Sequence, residues 1–425
     1  MSVLSDLVKD FKIPKMIKVR QNFPRPVIPA EDVPDTLRKV IDDAGVLSRI
    51  KEGDVVAIAG SSRGIANAPI FYRELVSIVK EQGGKPFIFP AMGSHGGATA
   101  EGQKLVLESM GITEEFCGCP IRSTMETVII GHTEKNNLPV NLDKYAYDAD
   151  CIILFNRIKL HTSFRGDIES GLAKMSVIGI GKQKGAELCH SIGLEYMHDR
   201  IVEISDYVYK HSKVIFGIGV IENAYDETAD VVCLKTEEIH EKEPALLKKA
   251  ISLMASICFK NYDILILDEI GKNISGTGMD CNIVSRFTSD TMPAEKRQQI
   301  ITVLDLSEET HGNANGIGIS DISTKRVWDK LDLEATYANP LTSLVIKSPK
   351  IPLIMENDQS AIQASIKFCL GIDRTKPRIV RIKNTLEVSE MYISEALLEE
   401  AKKFPFVEIL SDPEEMAFDE NGNLF

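Results

Sequence analysis

The sequence predicts an α/β protein of two domains, and three observations carry that expectation. At 425 residues the chain is too long for one ordinary core. Short β-branched runs alternate with helical patterns, the signature of a mostly parallel sheet flanked by helices. The pattern resets near residues 260–300, so the expected division is an N-terminal domain over 1–265 and a smaller α/β C-terminal domain over 266–425.

The elements follow in order. Residues 55–59 form a buried apolar strand, closed by the loop Gly60-Ser-Ser-Arg63-Gly. Residues 69–82 read as a helix, with Pro69 in its first turn and Gly83-Gly84 as its stop. A second strand over 85–89 runs into Gly93-Ser-His95-Gly-Gly, and Thr99 then opens a helix that Gly111 closes. A third strand, 151–155, leads through Asn156-Arg-Ile-Lys-Leu-His161 into a Gly-rich segment ending at Gly185. A helix over 194–211 and strands over 214–220, 264–267 and 300–304 complete the pattern, with 312–316 as a loop turned back toward the site.

Three times, then, an apolar strand ends in a loop carrying Arg63, His95 or His161. In open parallel sheets ligands bind beyond the carboxyl ends of the strands, so these side chains are expected to converge.

Composition narrows the function. A hydrophobic share of 44% with 26% charged residues suits a well-packed globular chain. The formal charge of −13, with no Lys/Arg cluster, argues against nucleic acid, whose affinity depends on phosphate neutralisation. No apolar run reaches the roughly 20 residues of a membrane span, and the N-terminus lacks a signal-peptide pattern. Eight scattered cysteines fit reduced thiols, so the expected compartment is the cytoplasm.

Among the eight histidines, His95 lies in a glycine loop where backbone can approach a ligand, and His161 follows a strand among Lys159 and Arg165. His190 stands in a helical pattern beside Cys189; His132, His198, His211, His240 and His311 have structural or surface settings. Lys174 sits among small and apolar neighbours, where a lysine can lose its proton and become nucleophilic or hold a phosphate. Lys272 follows a strand of the second domain and is a candidate anion contact. A P-loop, a dinucleotide glycine fingerprint, a G-x-S-x-G elbow, an H-E-x-x-H motif and a zinc-type cysteine pair are all missing. The residues alone point to histidine acid/base chemistry on a small anion.

Their order and spacing resemble the nickel-dependent lactate racemase family. There a loop histidine after an early strand is followed by a second histidine, a lysine in a Gly-rich segment, and a nickel-binding histidine sixteen residues beyond. His95, His161, Lys174 and His190 stand in that order, and His190 is sixteen residues past Lys174. Arg63 matches the family's arginine after the first strand, and Lys272 its C-terminal-domain lysine.

The resemblance implies a racemase or epimerase of a 2-hydroxy acid, working by hydride transfer to and from a nickel-pincer nucleotide (Ni(II) pyridinium-3,5-bisthiocarboxylic acid mononucleotide). It makes His95 and His161 the acid/base pair, Arg63 and Lys272 the substrate contacts, Lys174 the cofactor-binding lysine and His190 the nickel ligand. Cofactor-biosynthesis enzymes would supply the nucleotide, and the C-terminal domain would complete the cleft. Three features depart from the family: Gly60 replaces an aspartate, Met175-Ser176 follows the lysine, and the segment from His161 to Lys174 is three residues longer. Gly60 leaves room for a larger substrate such as a sugar acid. The alternatives are another oxidoreductase or lyase of a hydroxy acid, or a non-catalytic cofactor-binding homologue.

Overall fold

The computed structural model describes residues 3–62, 64–191, 193–289, 292 and 297–424, with backbone alone at 339 and 342. The fold is α/β, with parallel-rich sheets flanked by helices, and the chain divides into two compact units.

The unit over residues 24–254 is built on a five-stranded sheet. Its strands run Lys85–Pro90, Val55–Gly60, Cys151–Arg157, Val214–Glu222 and Thr228–Lys235, in that spatial order. The first four are parallel and the last is antiparallel to its neighbour. Strand alternation sends successive side chains to opposite faces. Val56, Ile58, Ile153 and Phe155 therefore join one apolar layer with the helices Val33–Ala44 and Ala68–Glu81. Ala57, Ala59, Ile152 and Leu154 join the other, with segment 172–190 and the helix Met197–His211. Burial on both faces is why these strands read as continuous apolar runs. Thr99 caps the helix Ala100–Ser109 as expected, accepting the Gly102 amide at 3.1 Å.

The second unit joins residues 1–23 to 255–425. Its eight-stranded sheet runs Leu353–Met355, Ile322–Thr324, Ile300–Val303, Ile264–Leu267, Ile379–Ile382, Glu390–Ser394, Met16–Gln21 and Val407–Ile409. The first five strands are parallel; the last three alternate in direction.

The expected division at 265/266 is thus corrected twice. Ile264–Leu267 lies inside this sheet, so the boundary falls at 254/255. Met16–Gln21 also belongs here, because its buried Ile17 and Val19 complete the apolar layer containing Met391 and Ile393. Among the described residues no helix is long and apolar enough to cross a membrane.

Candidate functional site

Two of the three expected strand ends carry their histidines beyond the same edge of the five-stranded sheet. Arg63, on the third, lies outside the described residues. His95 is exposed, in a loop that starts at the end of Lys85–Pro90. Gly93 in that loop has φ +59°, and a Cβ there would stand 3.3 Å from Ile178 Cγ2 and 3.6 Å from Ala186 Cβ. The His95 loop therefore rests on the segment between Lys174 and His190.

His161 is half-buried, and its loop is tied down by a carboxylate. Glu169, itself buried, accepts the His161 amide at 2.6 Å and the Gly166 amide at 3.2 Å, with Arg165 3.5 Å away. The His161 ring lies over Phe164, centroids 4.4 Å apart. Its Nδ1 accepts the Ser163 amide at 3.1 Å. A nitrogen that accepts carries no proton, so the neutral ring bears its hydrogen on Nε2. Burial, followed by the charges of Lys174, Lys159, His190 and Arg165, holds this imidazole well below its ordinary value.

Lys174 closes the short helix Leu172–Lys174, and a π-helical turn, Met175–Gly179, follows at once. Such turns are rare and recur at functional sites. The turn leads into Lys182–His190. The start of this segment is fixed from two directions. Asn156, at the end of its strand, donates to the Gly171 carbonyl at 2.8 Å. Buried Glu243 accepts the Ala173 amide at 3.0 Å, and a Cβ on Gly171 would fall 2.0 Å from Glu243 Oε1.

His190 is held below its ordinary value, first by burial and then by Lys174. Its Nδ1 is buried and has no hydrogen-bond partner. Leaving such a group unsatisfied is costly, and a metal ion is one way to satisfy it. Among the described residues no three His, Cys, Asp or Glu side chains are placed to hold a metal together. The described residues thus place one buried, unpartnered imidazole nitrogen at this point of the chain.

The structure thus brings His161, Lys174 and His190 within electrostatic reach of one another, with the His95 loop packed on the same segment. Lys272 stands in the other unit, where its ammonium donates to the Gly276 carbonyl at 2.7 Å. The loop 312–316 returns to that carbonyl through Asn315 Nδ2, at 3.1 Å. The room expected at Gly60 is already filled, since a Cβ there would meet both Leu107 methyls at 3.0 Å and the Phe89 carbonyl at 3.1 Å. Gly60 therefore gives no argument for a larger substrate. Glu169, Glu243, Lys182 and Gln103 carry no sequence expectation, because a buried polar or charged side chain in a polar stretch has no local signature.

A family described as a domain of unknown function, DUF362, matches residues 56–270, half of the chain. The chain belongs to the DUF362 family. The match spans His95, His161, Lys174 and His190 and ends short of Lys272. No curated protein matches the chain. Among solved structures, the lactate racemase apoprotein from Thermoanaerobacterium thermosaccharolyticum is similar to this DUF362 protein. The TM-score is 0.52 and the identity 12%, over 88% of this chain and 99% of that one. At that identity the two share a fold, and the residue correspondences rest on sequence order and spacing.

Proposed function

We propose that this DUF362 protein is an isomerase, a racemase or epimerase of a 2-hydroxy acid, that works with a bound nickel nucleotide. The observation that carries the reading is the cluster of His161, Lys174 and His190, in which Nδ1 of His190 is buried and unpartnered. The shared fold with a lactate racemase apoprotein supports it.

His190 is the protein's ligand to nickel, for which neutral imidazole is well suited. Lys174 holds the cofactor, by a covalent bond or through its charge. When bound, that group supplies the hydride acceptor and donor. The chain's residues handle the proton and the orientation. His95, exposed on its loop, takes the proton of the substrate hydroxyl. His161 presents Nε2–H and donates to the oxygen as it gains carbonyl character. The two histidines are therefore an unequal pair, since Nε2 of His161 is already protonated in the neutral ring. Arg63 and Lys272 are assigned to the substrate carboxylate by the resemblance alone.

The test is chiral chromatography of a panel of 2-hydroxy acids incubated in D2O with protein co-produced with cofactor-making enzymes. Interconversion with little deuterium at C2 is expected, because a returned hydride does not exchange with solvent. Full deuterium incorporation, or no turnover by nickel-loaded protein, contradicts the reading.

A further inference from the structure

Beside the His95 loop lies a buried polar cluster with no assigned role. Lys182 is completely buried, with φ +56°, a backbone conformation that side-chain-bearing residues rarely adopt. Its ammonium donates to the Pro90 carbonyl at 2.8 Å and to Gln103 Oε1, and lies 3.5 Å from buried Asp143. Burial pushes the Asp143 carboxyl up to about 6 and the Lys182 ammonium down, each opposed by the other's charge. Gln103, also completely buried, turns its amide nitrogen the other way, to the Gly93 carbonyl at 2.8 Å and the His95 carbonyl at 3.2 Å.

We propose that Gln103 and Lys182 are positioning residues for His95. Lys182 follows the π-helical turn after Lys174 and anchors Gln103, and Gln103 fixes the backbone of His95 from below. One side-chain relay thus couples the two segments that carry the candidate chemistry. Core filling alone explains this poorly. A lysine in an apolar core is expensive unless fully partnered, whereas this one holds the carbonyl where the loop begins and the amide that spans the loop. The importance of His95 rests on the function proposed above; the positioning itself does not.

Gln103→Glu separates the two tasks. With exchange read at pH 8, where the carboxyl is ionised beside Lys182, it still accepts from Lys182, so the anchor survives, but it presents no donor to the Gly93 and His95 carbonyls. Amide hydrogen exchange of the full-length protein is expected to rise roughly tenfold across 91–99, as one buried and one part-buried hydrogen bond are lost. Exchange in the strand Cys151–Arg157 should stay unchanged and Tm within about 3 °C of wild type. Unchanged exchange across 91–99 overturns the proposal. If Gln103→Glu does not fold, Gln103→Met gives the same readout with the same two outcomes. Where the wild type turns over a hydroxy acid, Gln103→Glu should lower kcat roughly tenfold with KM nearly constant. An effect on KM alone contradicts a positioning role. A wild type with no turnover counts against the proposed function and leaves the exchange result standing.

Discussion

The Ser163 amide donates to Nδ1 of His161 at 3.1 Å, and this one bond decides which ring nitrogen carries the hydrogen. A backbone amide has only a proton to give, so Nδ1 must keep its lone pair. Nitrogen NMR of histidine-labelled protein should find His161 neutral and protonated on Nε2 from about pH 6 to 8. Its titration should fall well below the ordinary histidine value. If Nε2 acts as a donor, His161→Gln retains more activity than His161→Ala, whose kcat should fall by about 10²–10³. A ring protonated on Nδ1, or equal loss in the two variants, contradicts this role.

His190 should reveal itself as a residue kept at the expense of stability. Its buried, unpartnered Nδ1 carries a desolvation penalty of about 1–3 kcal/mol that an apolar side chain avoids. In the absence of metal, His190→Leu is expected to match or exceed the wild-type Tm. A loss of several degrees would mean that the imidazole has a structural partner.

Glu243 gives a pH signature of the turn that carries Lys174. Burial raises its carboxyl from 4.5 to about 7, against the opposing pull of the Ala173 and Leu172 amides. The folded chain thus holds a proton between those values that the unfolded chain has released. The associated stability is fully present below pH 4.5 and is lost as the pH climbs through 7. The change is about 3 kcal/mol. Urea unfolding at pH 4.5 and pH 8 should show the stability of Glu243→Gln gaining on the wild type by this order at the higher pH. Parallel pH profiles for the two proteins would rule it out.

Gly60 should tolerate no side chain while Leu107 is present. A Cβ at 3.0 Å from both Leu107 methyls forces repacking, so Gly60→Asp is expected to destabilise by about 1–3 kcal/mol in denaturant unfolding. Leu107→Ala in the same chain should recover part of the loss. Independent, additive effects would show that the two do not share this space.

Much of the five-stranded sheet was legible because its strands are buried on both faces and separated by glycine-marked turns. The strand Ile264–Leu267 matches its apolar run to the residue, and Thr99 is a cap in sequence pattern and structure alike. Met16–Gln21 was not legible, because its strand partner Glu390–Ser394 lies hundreds of residues away and its own pattern is half polar. The hairpin of Thr127–His132 and Pro139–Asp143 was missed for a related reason. Its first strand is only partly buried, and its turn is held by Glu203, which accepts from Thr133 and Asn136. In the site, histidines and a lysine beside glycines stood out by type. Of the groups that hold their backbone in place, Glu169 lies only eight residues from His161 but in an irregular loop, while Glu243, Lys182 and Gln103 reach the site from distant segments. The space at Gly60 was misjudged because Leu107, which fills it, comes from a different helix.

In the proposed function His190 is the nickel ligand of a site it shares with Lys174 and His161. The most direct measurement is the nickel content of the full-length protein co-produced with cofactor-making enzymes, wild type beside His190→Ala. About one nickel per chain is expected in the wild type and near-total loss in the variant, since the His190 imidazole is the one donor the proposed function asks of the protein. Nickel retained without His190, or no nickel in the wild type, would contradict it.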